Sequence, residues 1–153
     1  ILKESMKNKN MKNKKNTKKF KFLEHTADIK FQAFGDSLKK VFENSALALF
    51  NVIYNEKIKE KNKFKISVQG KDLESLMYNF LEETLVLIDS KNFLPLKIIN
   101  FKLDKKNLKI RAEVIGDDAK DYNISEHVKA VTYNEMFIKK IKNKFISQVV
   151  LDI

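Results

Sequence analysis

The spacing of the apolar residues changes period along the chain, and that change constrains the fold more than any single motif. Phe20 and Phe22 alternate with Lys, and Ile29, Phe31 and Ala33 alternate with Lys30 and Gln32, the period of two expected of half-buried strands. From Ser37 the interval becomes three and four through Leu38, Val41, Phe42, Leu49 and Ile53, which predicts an amphipathic helix capped by Asp36 or Ser37. Phe64, Ile66 and Val68 return to alternation up to Gly70, and Asp72 then caps a second helical stripe running from Leu73 to Ile88. Beyond Pro95 only strand patterns follow, over 96–103, 108–115, 128–138 and 145–153. A short polar loop over 104–107, a polar stretch over 116–125 and a lysine-rich turn over 139–144 join them. Helices interleaved with early strands, then a run of strands, predict an α+β domain: a largely antiparallel sheet with both amphipathic helices packed on one face.

At 153 residues the chain is long enough for one core and too short for two. It has no Cys, which excludes a disulfide framework, a thiolate metal site and a Cys nucleophile. Its densest apolar stretches, near 46–50 and 84–88, are far shorter than a membrane span, and no apolar core follows the basic first residues as in a secretory signal. A soluble, cytoplasmic protein is expected. Charge is uneven: residues 1–19 hold eight Lys and one acid, Glu4, and so carry +7 of the net +11. That segment has almost nothing to bury and is expected to be a disordered, solvated tail ahead of a folded domain over 20–153. Its alternative role is a weak, unspecific arm for nucleic acid, since it offers neither Arg forks nor aromatic rings.

The common phosphate, zinc and acyl-transfer motifs are absent: there is no GxGxxG, P-loop, HExxH or GxSxG. The two His, His25 and His127, each follow a Glu and read as structural. Glu24-His25-Thr26-Ala27-Asp28 interrupts two strand-like runs with polar residues, either as a bend bonded to its own backbone or as a loop presenting Asp28 to a hard divalent cation. The final Val150-Leu151-Asp152-Ile153 sets an acid next to the last residue. Asp152, the carboxylate of Ile153 and Asp28 would together make an oxygen-only set suited to calcium or magnesium and poorly suited to zinc.

Residues 22–29, then 33–38 running into 42–50, closely resemble the archease family, as do Val128-Lys129-Ala130-Val131-Thr132-Tyr133 and the ending 149–153. The run 76–83 of the second helix fits the same family's apolar-then-acidic pattern. The resemblance covers residues 19–153 and leaves out only the Lys/Asn tail. It implies a non-enzymatic protein cofactor for the GTP-dependent RNA ligase that seals tRNA exons and broken RNAs. Such a cofactor helps GMP onto the ligase's active-site His, allows multiple turnovers, and meets RNA only through the ligase. The resemblance also implies metal ligation by Asp28, Asp152 and Ile153, with calcium ahead of magnesium or manganese, and a docking or activating role for Lys129. Glu24 and His25 would stand behind the ligands.

The chain departs from the family's usual pattern at two positions, with Glu24 where Asp is common and Asn134 where His is common. The first keeps a carboxylate on a longer arm; the second removes a titratable group. Two alternatives accompany this reading. The acids and Lys129 can form only a docking surface around a structural metal, or the protein can act as a chaperone-like binder of an RNA-modifying client such as a tRNA methyltransferase.

Overall fold

The computed structural model describes residues 18–25 and 27–153. Strands β1 (Phe20–Leu23) and β2 (Ile29–Gly35) precede helix α1 (Leu38–Ile53), and β3 (Asn62–Gln69) precedes helix α2 (Leu73–Lys91). β4 (Phe93–Asp104), β5 (Lys109–Asp118), β6 (Ala130–Ile141) and β7 (Lys144–Asp152) follow, with one 3-10 turn at Ala119–Asp121. Every strand pairing is antiparallel, and the fold is α+β as the periodicity implies. No helix among the described residues is long and apolar enough to cross a membrane.

Where the sequence suggests one sheet, the strands form two, in the orders β1-β2-β7-β6 and β3-β5-β4. The reason lies in α1. Ten of its sixteen residues are buried, too many for a helix that covers a sheet with one stripe and shows the rest to water. It packs on β2 and against β4, so each sheet takes a different flank. Small residues make this close approach affordable: Ala46 and Ala48 are fully buried, and Ser45 meets Ser147 of β7 at 2.8 Å. Since the Ser45 hydroxyl donates to the Val41 carbonyl at 2.6 Å, it receives the Ser147 proton, and both buried hydroxyls are satisfied.

Local chemistry sets the element ends. Ser37 caps α1, accepting from Lys40 N–H, and Asp72 caps α2 in a reciprocal box with Ser75. β4 begins at Phe93, ahead of Pro95, although a strand was expected only after it. Proline is tolerated because β4 is an edge strand and its register shifts between Pro95 and Lys97, so no ladder bond needs the missing N–H. The polar stretch after Ile115 is partly strand as well. Gly116 lets β5 run close to β4, where a Cβ would meet the Leu94 carbonyl oxygen. The lysine-rich turn expected over 139–144 shrinks to residues 142–143, with Lys142 at φ 56°. Lys139, Lys140 and Lys144 are strand residues. Of the tail expected over 1–19, residues 1–17 lie outside the described residues. The Lys19 carbonyl already accepts Phe34 N–H at 2.8 Å, so strand-like pairing reaches this point.

Candidate functional site

Sheet register brings the sequence-predicted residues to one corner of the four-stranded sheet. Ile29 of β2 faces Leu151 of β7, so one step further along the antiparallel pair Asp28 is set beside Asp152. On the other side of β7, Ala130 of β6 faces Asp152, and Lys129 N–H donates to the Asp152 carbonyl at 2.8 Å. Three adjacent strands thus deliver Asp28, Asp152 and Lys129 to neighbouring positions, although more than a hundred residues separate the first from the other two in the chain. Asp152 and Lys129 are exposed, Asp28 is partly exposed, and half-buried Ile153 follows directly.

His25 stands behind Asp28. Its Nε2 is 2.9 Å from Glu135 Oε2, and since a carboxylate only accepts, the ring donates there. Its Nδ1 is 3.7 Å from Asp28 Oδ2; it is enclosed and has no hydrogen-bond partner among the described residues. Lys30 Nζ lies 3.4 Å from the other Glu135 oxygen. Glu24 is exposed, at the end of the loop away from Asp28 in sequence. His127 is exposed in the segment before β6, and the structural bonding expected of it is not found among the described residues.

Glu135 is the site residue that the sequence reading missed. Between Thr132, which faces Val150, and Phe137, which faces Gln148, β6 carries four residues against one on β7. This wide bulge places Glu135 at φ 55° and is tied down by Gln148 Nε2, which donates to the Glu135 carbonyl at 2.8 Å. The signal in the sequence is the polar Tyr133-Asn134-Glu135 interrupting the alternation of a strand. Asn134 itself is exposed, its N–H donating to Thr132 Oγ1 at 3.3 Å. On the outer edge of β6, Val131 N–H donates to Glu82 of α2 at 2.8 Å, and Tyr133 stacks on Tyr78 with ring centroids 4.2 Å apart. The helix therefore fixes the strand that carries Lys129 and the bulge.

The His25 hydrogen bond, then the positive charge of Lys30, hold the Glu135 carboxyl below its ordinary range. A depressed carboxyl stabilises the fold above its unfolded pKa of about 4.5, and that contribution fades as the pH falls through the lower folded value. Glu135→Gln is therefore expected to be less stable than the parent at pH 6, with the gap narrowing below pH 4. Urea unfolding at both pH values measures it; an equal gap at both would refute the linkage.

The donors at the corner are carboxylates, which suit a hard divalent cation and not zinc. Among the described residues no three His, Cys, Asp or Glu side chains group closely enough to cage a metal alone, so an oxygen of Ile153 would have to complete the set.

Comparison with known proteins identifies the family. The archease protein family matches residues 20–153. Protein archease of Pyrococcus abyssi is 42% identical over 142 residues, covering 89% of this chain and 99% of its own. That of Methanosarcina barkeri is 40% identical over 141 residues, covering 89% and 97%. The solution structure of a Methanobacterium thermoautotrophicum protein superposes with a TM-score of 0.79 at 31% identity, covering 90% of this chain and all of that one. The crystal structure of a Thermotoga maritima archease, described as a possible chaperone, shares the fold with a TM-score of 0.60 at 19% identity, over 87% and 96% of the two chains. With the family match spanning residues 20–153, the chain belongs to the archease family.

Proposed function

We propose that this protein is a cofactor for a GTP-dependent RNA ligase, raising the rate at which the ligase's active-site His is guanylylated and sustaining multiple turnovers. The observation that carries this reading is the meeting of Asp28, Asp152 and Lys129 at one exposed corner of a chain in the archease family. Transfer of a nucleotidyl group responds chiefly to alignment and to compensation of charge on the phosphates. Asp28, Asp152 and an oxygen of Ile153 would hold a divalent cation, calcium first and magnesium or manganese next. That cation would supply positive charge at the contact with the ligase. Lys129 adds a point charge for a ligase acid or a nucleotide phosphate, and His25, held by Glu135, limits the positions open to Asp28. The protein does none of the bond making. It favours the loading conformation of the ligase, and a preference of about 1.4 kcal/mol changes that population tenfold.

The test is guanylylation of the cognate ligase by labelled GTP, with one molecule of this chain to about ten of ligase. Labelling of far more ligase than the chain present is expected. No stimulation would overturn the reading. The description of the Thermotoga maritima relative as a possible chaperone favours a second reading, a binder that keeps an RNA-modifying enzyme such as a tRNA methyltransferase soluble. Suppressed client aggregation without ligase stimulation would establish that one instead.

A further inference from the structure

At the opposite end of β2 from Asp28, some six residues or about 20 Å along the strand, lies a cleft of about 480 Å³. Five lysines line it, Lys18, Lys19, Lys40, Lys97 and Lys144, against two acids, Asp36 and Glu43. Lys97 is paired with Glu60 at 2.8 Å, and Lys40 lies 3.8 Å from Glu43. Lys18, Lys19 and Lys144 have no carboxylate within 4 Å among the described residues, so three unpaired lysines border one concavity against a single unpaired acid, Asp36. Its floor is apolar, made of Phe34, Leu47 and Ile98.

The positive charge continues out of the cleft over the sheet face that neither α1 nor α2 covers. Lys21 Nζ stands 5.8 Å from the Phe34 ring centroid, and Lys139 Nζ stands 4.2 Å from that of Phe137. We infer that this cleft and the adjoining lysine-lined sheet face bind single-stranded nucleic acid through its phosphate backbone.

The composition of the surface selects that ligand. A row of lysines without Arg supplies point charges at intervals, which suits a polymer with one charge per unit better than a single small anion needing a bidentate grip. Rings faced by ammonium groups suit unstacked bases, because a base can take the ring face while the ammonium turns to the neighbouring phosphate. A duplex offers its phosphates but keeps its bases stacked away from the rings, and an acidic peptide has no use for the rings. The inference does not rest on the ligase reading, since the cleft lies away from the Asp28 corner and would act with or without a ligase.

The test is fluorescence anisotropy of a labelled fifteen-nucleotide oligouridylate titrated with the full chain across a range of salt. Lys18→Ala/Lys19→Ala/Lys144→Ala is compared with Lys102→Ala/Lys105→Ala/Lys106→Ala, which removes the same charge at the end of β4 and in the β4–β5 turn. Removing three phosphate contacts is expected to weaken binding by about tenfold or more near 0.1 M salt and to lower the salt slope by roughly two, at about 0.7 per phosphate on a single strand. The turn variant should stay within about threefold of the parent. Equal losses in the two variants would reduce the effect to net charge and overturn the site. So would absence of binding by the parent near 50 mM salt, equal affinity for a duplex of the same length, or displacement by polyglutamate as effective as by unlabelled oligouridylate. Circular dichroism of both variants confirms that the fold is intact.

Discussion

Asp28→Asn and Asp152→Asn are each expected to cut stimulation of ligase guanylylation by at least about tenfold while leaving the fold intact, a loss of roughly 1.4 kcal/mol in coupling. Both substitutions keep the shape of the side chain and remove its charge, so they separate electrostatics from packing. Neither acid is needed by the core: Asp152 is exposed and Asp28 is one-third exposed. Changes at exposed positions of this kind stay within about 0.5 kcal/mol of the parent in stability. The two losses should not add, because both acids serve one site, so the double variant is expected to match the worse single one. Lys129→Ala should fall between parent and Asp variants, since it removes a charge beside the site without removing a ligand. Initial rates of labelled GMP transfer, taken over a series of calcium and magnesium concentrations, measure all four. Full stimulation by both Asn variants at every metal concentration would end the case for a cation at this corner and leave it, at most, a docking surface.

The corner shows why some of this was legible and some was not. Asp28 and Asp152 stand out in sequence because each is a charge set where an apolar strand would otherwise continue. Their pairing needs the β2–β7 register, and register is fixed by which alternating residues face the core, here Phe31 and Ala33 against Val149 and Ser147. Glu135 could not be placed the same way. The bulge that turns it toward His25 breaks the period of two, and a broken period in a sequence reads equally well as a loop.

The helices were legible for a related reason, since their caps and stripes are local. The two-sheet architecture was not. A stripe of Val41, Phe42, Leu49 and Ile53 predicts one packed face, but the further burial of Ala46, Ala48, Phe50 and Val52 depends on β4 arriving on the other flank. Alanine is at home on either side of a helix, so Phe50 is the one bulky residue off the stripe that marks the second contact. Pro95 misled for the opposite reason: a general rule against proline in strands holds for paired positions, and β4 has one free edge.

That second contact fixes where the fold is most easily broken. Phe42 of α1 is fully buried, its ring 5.8 Å from Phe80 of α2 and 6.0 Å from Phe101 of β4, and the latter two are 5.7 Å apart. One ring from each of three elements therefore meets at the point where both helices join the second sheet. Phe42→Ala removes the shared member, and is expected to lower the unfolding free energy by about 3–5 kcal/mol through lost burial and the cavity left behind. Set against a total of roughly 5–15 kcal/mol for a domain, that is enough to bring the melting temperature down by about 10 °C or more. Phe42→Leu keeps most of the volume and should cost less than half as much, because it forfeits only the ring edges and faces, worth about 0.5–1.5 kcal/mol for each aromatic pair. Once Phe42 is gone, Phe80→Ala should cost less than it does in the parent, since the two rings share one contact and one cavity. Urea unfolding of the single and double variants measures this coupling. A loss below about 1 kcal/mol for Phe42→Ala, or full additivity with Phe80→Ala, would mean that the three rings do not form a packed joint and that α1 is not held between the two sheets.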